Sequence, residues 1–354
     1  MLPPSMPADE RMSRSDLLAE TDKPVPLLTD VAPIRELDPD ARAELTAAAG
    51  QLLTDYGSPR HPELLKATPG VAARLVDRLR EACAPCDSAD GLFVLRGLPV
   101  DAAALEPTPE HWSVAEDAAA LWDAALLLLA TVMGRPIAWE GQQDGRYVHN
   151  IVPAQGREAE QTGASSSVLL SPHTEDAFHP GRAHLLMLAC MRNPDGIATT
   201  AASVRRIELS EDDITTLSTP TVPILPDDSY TEAQASTQLP ARVPALWRSA
   251  SGLTLRFDPA YTPLEKAEEP YRSAYRRLEA ELERVTVAVS LRPGEVLVVD
   301  NDVVVHGRVP FRARFDGTDR WLKRASVRVP GRRTRAAAEA AERGYGQVVL
   351  EAPC

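Results

Sequence analysis

Ser171-Pro-His-Thr-Glu-Asp-Ala-Phe-His179 places an imidazole and a carboxylate, His173 and Glu175, one residue apart. The preceding Ser167-Val-Leu-Leu170 reads as a short strand, and along a strand residues i and i+2 point to the same side. An extended His-Thr-Glu therefore aims both side chains at one point. That is two thirds of a 2-His-1-carboxylate facial triad, the usual site of non-haem Fe(II). The rest of the chain must then supply a third ligand and a β-framework to carry it.

The framework is visible on both sides of this stretch. From about Trp139 onward short β-rich runs dominate, at 146–152, 166–170, 184–190, 199–204, 251–257, 295–299, 303–306 and 320–329. Asn193-Pro-Asp-Gly196, Arg292-Pro-Gly-Glu295 and Asp300-Asn-Asp302 supply turns between them. Many short strands so punctuated predict a sandwich or jelly roll. One helix interrupts, with Tyr271, Tyr275, Leu278, Leu282 and Val285 on one stripe. Residues 208–250 are polar and carry Pro220, Pro223, Pro226, Pro240 and Pro244. They are long for an ordinary connection and read as a lid-like insert.

Upstream the texture is helical. Leu45, Ala48, Leu52 and Leu53 lie on one side of a helix over 41–56, and Leu75, Val76 and Leu79 mark another over 71–83. Ser113 and Glu116 form a capping box ahead of an apolar helix over 118–133. Gly91-Leu-Phe-Val-Leu-Arg-Gly97 is a strand bounded by glycines. The expected class is α+β. Residues 1–25 read as a mobile tail and 26–350 as one domain, with a helical part at 26–138 and a jelly-roll core at 139–330.

The third ligand follows the Asp-Asn-Asp turn, in Val303-Val-Val-His306-Gly-Arg308. An isolated histidine is most often a hydrogen-bonded structural residue. His306 differs because it ends a strand downstream of a His-x-Glu pair. His61, His111, His149 and His184 lack such a setting and are read as structural or surface, and His179 as a neighbour of the cluster at best. In Asp319-Arg-Trp-Leu-Lys-Arg324 a strand would put Arg320, Leu322 and Arg324 on one face. Two guanidinium groups so placed would receive two carboxylates, each through a bidentate fork. Cys83-Ala-Pro-Cys86 has neither the βαβ setting of a redox motif nor a second pair of zinc ligands, and is read as structural.

The bulk numbers exclude several classes. An apolar content of 44% with 25% charged residues is that of a globular protein. A net charge of −13 argues against a nucleic-acid partner. The first ten residues lack a basic region and an apolar core, so no secretory signal is expected. The apolar run over 118–133 is too short to span a bilayer. A cytoplasmic protein with no membrane partner is the expectation.

Ser171-Pro-His-Thr-Glu-Asp-Ala-Phe-His-Pro180, His306-Gly-Arg308 and Asp316-Gly-Thr-Asp-Arg-Trp-Leu-Lys-Arg324, with Thr199-Thr200, carry a resemblance over roughly residues 140–330. The chain resembles Fe(II)/2-oxoglutarate-dependent oxygenases of the clavaminate synthase-like group, and within it the arginine and asparagine hydroxylases of peptide-antibiotic pathways. The resemblance implies a double-stranded β-helix (jelly-roll) core with flanking helices, and Fe(II), 2-oxoglutarate and O2 as cofactor and co-substrates. It implies His173, Glu175 and His306 as iron ligands, and Arg320 with Thr200 for the distal 2-oxoglutarate carboxylate. Gln142, or Gln143 beside it, would hold the substrate amine with Glu175, and Arg324 the substrate carboxylate. Asp258 matches the first of two aspartates that grip a guanidinium, but Ala260 stands where the second should be. Lysine, ornithine and citrulline thus join arginine as expected substrates. Hydroxylation at C3 or C4 is the expected reaction. Desaturation and a non-catalytic binding jelly roll are the alternatives, and Glu175 argues against halogenation.

Overall fold

Asp38 starts the first helix. Its Oδ1 accepts from the amides of Asp40 and Ala41, both at 2.9 Å, and Pro39 takes the first helical position, where a missing N–H costs nothing. Helix α1 then runs Pro39–Tyr56 and ends at Gly57, φ +80°. Helix α2, Pro62–Leu79, begins well before the expected Val71 and runs through Pro69. The proline removes one backbone bond, but Leu64, Thr68, Ala72, Leu75 and Leu79 keep one continuous buried face. Helix α3, Ala120–Met133, starts behind Ala119 with no side-chain cap. Of the expected capping box, Ser113 Oγ lies 2.8 Å from His111 Nδ1 in a short turn, and Glu116 falls outside the described residues. Burial on nearly all sides stabilises α3 instead.

The computed structural model describes residues 32–103, 105–114, 119–227, 229–230 and 241–353. The tail expected over 1–25 and the middle of the 208–250 insert lie outside these. The described flanks of the insert are structured, with α4 at Glu211–Leu217 and a strand at Leu246–Ser249.

Two sheets carry the site. The larger runs in spatial order β1 (Ile34–Glu36), β2 (Leu92–Arg96), β11 (Val296–Asp300), β6 (Leu185–Arg192), β13 (Trp321–Arg328), β3 (Arg135–Trp139) and β14 (Val349–Glu351). Strand β4 (Val148–Ile151) also pairs with β13. The smaller runs β10 (Val287–Val289), β7 (Thr199–Ser203), β12 (Val304–Arg308) and β5 (Leu170–His173). Strands β8 (Leu246–Ser249) and β9 (Gly252–Leu255) form a separate hairpin. All pairings are antiparallel except β1 with β2.

Alternation along β11 shows how the layers stack. Val296 and Val298 join a core with Phe93, Met187 and helices α1 to α3. Leu297 and Val299 point the other way, into a core with Val303, Val305 and the Tyr271, Tyr275 and Leu278 stripe of α5, Glu269–Arg284. The large sheet is therefore sandwiched between helices and the small sheet. Each fully buried Val or Leu contributes about 1.5–3 kcal/mol relative to exposure. No described helix is long and apolar enough to cross a membrane.

One strand is displaced from its expected place. Residues 166–170 were to form the strand before the His-x-Glu pair, but β5 begins at Leu170. The amides of Ser166 and Ser167 both donate to Glu158 O, at 3.0 and 2.9 Å, which holds them in a loop. Glu175 in turn lies past the strand end, where Asp176 takes φ +52°. His173 and Glu175 converge through a strand end and a turn, not through two strand positions.

Candidate active site

Strands β5 and β12 put His173 directly opposite His306 in register, with ring centres 4.5 Å apart. His173 Nδ1 is 2.8 Å from Ser171 O. A carbonyl only accepts, so Nδ1 carries the proton and Nε2 is left bare. Glu175 is fixed through its backbone: its amide donates to Asn301 Oδ1 at 2.9 Å, and Asn301 Nδ2 donates to Glu175 O at 3.0 Å. Glu175 Oε2 then stands 3.4 Å from His306 Nε2 and 3.9 Å from His173 Nε2. One ligand atom from each residue falls within 4.8 Å of the others.

This donor set fits a divalent iron. Glu175 Oε2 is buried and among the described residues accepts no hydrogen bond, so an oxygen lone pair is free to share a ligand with the two imidazoles it faces. Burial alone would push the Glu175 carboxyl up, but the Arg324 guanidinium and His306 outweigh it and hold it well below the usual carboxylate range. Burial and the neighbouring His306 push His173 down. Carboxylate ionised and imidazole neutral is the state a metal requires.

Strand β13 delivers Arg324, and Arg320 stands one residue before its start. Arg320 is buried and its Nη2 donates to Thr199 Oγ1 at 2.8 Å. Burial pushes its guanidinium down to about 10. The expected helper was Thr200, but the structure puts Thr199 on Arg320. Neighbouring residues of β7 face opposite sides, and Thr200 Oγ1 has no hydrogen-bond partner among the described residues and stays off the cavity wall. Arg324 Nη1 pairs with Glu175 Oε1. Its Nη2 donates to Gln142 Oε1 and to His149 Nδ1, both at 2.9 Å. Burial, and then the Arg324 charge, push His149 down to about 3, which keeps that nitrogen an acceptor. Gln142 Nε2 donates on to Ser229 Oγ at 2.8 Å. Gln143 is excluded from this chain of bonds, because its amide clamps the Asn150 backbone from both sides.

Between these groups lies a cavity of about 420 Å³, the size of a small-molecule site. Its wall includes the triad, both arginines, Gln142 and Asp227. Asp258 is not on that wall. Its Oδ1 accepts from the Ala260 amide at 3.1 Å, yet it is near enough to His173 and Asp227 for their charges to act on it. Ala260 is exposed. Asp227, on the insert, does line the cavity, and burial pushes its carboxyl up. Next to Glu175, Asp176 accepts from Trp139 Nε1 at 2.7 Å and Tyr230 OH at 2.5 Å, tying the insert to the ligand loop. His179 packs edge-on against Trp139 at 4.6 Å and stays outside the cavity. Reading the sequence missed His149, Asp176, Asp227, Ser229 and Tyr230. Only His149 left a signal, a histidine within a β-rich run.

Fold and site together define a metal-dependent enzyme that handles small carboxylates. A profile of the taurine catabolism dioxygenase TauD, TfdA family matches residues 88–326. The chain is 38% identical over 332 residues to an enduracididine beta-hydroxylase of Streptomyces hygroscopicus, covering 86% of this chain and 97% of that one. It is 41% identical over 251 residues to an L-asparagine oxygenase of Streptomyces coelicolor, covering 70% and 74%. It is similar to the solved structure of the non-haem iron oxygenase OrfP in complex with Fe, succinate and (3S)-hydroxy-L-Arg. That match has a TM-score of 0.72 at 35% identity and covers 84% of this chain and 94% of that one. The chain belongs to the TauD/TfdA dioxygenase family, in its clavaminate synthase-like group.

Proposed function

We propose that this enzyme hydroxylates C3 or C4 of a free polar L-amino acid, arginine or a basic or ureido relative, for specialised-metabolite synthesis of the peptide-antibiotic kind. It is a non-haem iron dioxygenase that takes 2-oxoglutarate and O2. The two-sheet framework is read as its double-stranded β-helix core. One observation carries the reading. A buried, unpartnered carboxylate oxygen meets two imidazoles, beside a cavity whose wall includes Arg320, Arg324 and the Asp227 carboxylate.

His173, Glu175 and His306 would hold Fe(II). Arg320, with Thr199, would take the distal carboxylate of 2-oxoglutarate. When bound, iron and 2-oxoglutarate would activate O2, the oxidant: 2-oxoglutarate would give two electrons and leave as succinate and CO2, with one oxygen atom going into succinate and the other into the substrate C–H bond. The chain's own part is placement. Arg324 would receive the substrate α-carboxylate, and Gln142 with Glu175 the α-amino group. Asp227, with Asp258 nearby, would face the cationic or polar end of the side chain. The Ser229–Gln142 and Tyr230–Asp176 bonds hold the insert against the cavity and so would exclude water from it. The relatives fit this size class: one hydroxylates enduracididine, and OrfP is solved with a hydroxy-arginine.

The test is mass spectrometry of an amino-acid panel incubated with the enzyme, Fe(II), 2-oxoglutarate and air. The expected result is a gain of one oxygen on a basic or ureido amino acid with stoichiometric succinate, lost in His306→Ala. Loss of two hydrogens instead would mark a desaturase. No modified amino acid and no succinate would sink the reading.

A further inference from the structure

His306 and Arg308 are two residues apart on β12 and so share a face. One completes the triad, and the other also reaches the cavity wall. Arg308 stands opposite Thr199 in the β12–β7 register. Directly opposed residues of antiparallel strands have Cβ atoms about 4.5–5.5 Å apart on one face. Thr199 Oγ1 is the acceptor for Arg320. Two buried guanidinium groups therefore flank one threonine at one end of the cavity.

Neither charge is cancelled from within. Arg308 is 3% exposed. It donates to Ser165 O, to Ser165 Oγ at 3.1 Å, to Val168 O at 3.2 Å and to Val309 O at 3.3 Å. Its guanidinium carbon lies 5.1 Å from the Phe311 ring. Every one of these partners is neutral. Among the described residues neither Arg308 nor Arg320 has a carboxylate in ion-pair reach. The hydrogen bonds account for a planar donor that ties residues 165–168 to β12. They do not account for a permanent charge, which is costly to bury without a counter-charge. Two like charges side by side raise that cost until an anion enters.

We propose that Arg308 is a second cationic binding residue for the dicarboxylic co-substrate, acting on its distal carboxylate by charge from beside Arg320. This rests on the functional reading above. The distal carboxylate would meet an uncompensated field of two cations, not one. A 2-oxo acid without that carboxylate would gain nothing from the second.

The experiment is anaerobic titration of the Fe(II)-loaded full-length enzyme with 2-oxoglutarate, followed by the visible charge-transfer band. It is repeated with 2-oxopentanoate, which has the same chain and no distal carboxylate. Arg308→Gln should bind 2-oxoglutarate about 10- to 100-fold more weakly than wild type and 2-oxopentanoate equally well. Arg308→Lys, which keeps the charge but cannot reproduce the four bonds, should stay within about threefold of wild type for both. Equal 2-oxoglutarate affinity in wild type and Arg308→Gln would overturn the inference. So would a matching loss for both oxo acids, the mark of a purely structural arginine. Should Arg308→Gln melt early, Arg308→Lys decides, because a structural role predicts that it weakens too. No band in the wild type would sink the functional reading itself, and this inference with it.

Discussion

Strand β13 carries buried cations on both faces, and the two faces treat them differently. Lys323 points toward the helices, fully buried, with Nζ 2.5 Å from Asp123 Oδ1 on α3 and 2.9 Å from Asn150 Oδ1. Burial pushes Asp123 up and Lys323 down, each against the pull of the other. Arg320, also buried on the cavity side, has among the described residues no counter-charge and donates to a threonine hydroxyl. Arg324 is intermediate, since its acidic partner Glu175 is itself a candidate metal ligand. A buried charge whose counter-charge is built into the chain serves the fold. One whose counter-charge is left to arrive from solution serves binding, and the two should fail in different assays.

The largest effect is expected on the closed face. Lys323→Met leaves Asp123 buried beside an apolar group, which costs about 3–5 kcal/mol of stability. Urea or thermal unfolding would read this directly, and an unchanged midpoint would break the comparison. Arg320→Met should do the reverse. Its unfolding midpoint should match wild type or rise slightly, while 2-oxoglutarate binding loses about 2–4 kcal/mol, roughly 30- to 1,000-fold. If it instead loses as much stability as Lys323→Met, the cavity arginine is structural and the distinction falls.

This contrast also marks what could be read beforehand. That Arg320 and Arg324 share a face needs only the two-residue period of a strand, so the sequence shows it. The His173, Glu175 and His306 set was legible for a similar reason, because His-x-Glu and a later strand-ending histidine are local signals. The partners were not. Lys323 meets Asp123, and Arg324 meets His149, across sheet register and helix packing, neither of which a one-dimensional pattern encodes. The threonine that meets Arg320 is Thr199, one position from the expected Thr200, which in a strand means the opposite face. Asp227 sits in a proline-rich insert with no periodicity to reveal where its side chain goes. Glu175 arrived at its expected place by an unexpected route, a turn at Asp176 instead of continued strand.

The smallest expected effect sharpens the comparison most. In Lys323→Met with Asp123→Leu both charges go together, so neither is left facing an apolar group, and Arg146 is the nearby charge that remains. Replacing a buried ion pair by apolar groups of similar volume is often neutral or stabilising. Asn150 Oδ1 keeps its other donor, Trp321 Nε1 at 3.0 Å, so the amide does not become an orphan. The double variant should therefore unfold within about 1 kcal/mol of wild type, although the lysine substitution alone is severe, so that adding Asp123→Leu recovers about 2–4 kcal/mol. Its KM for 2-oxoglutarate and for the amino acid should stay within about threefold, because Leu322 and Arg324 face the other way. A double variant as unstable as the single one would show that Lys323 is held by something other than Asp123. A stable double variant with altered KM would show that charge on one face of β13 is felt on the other, so that the two sets of cations form one system.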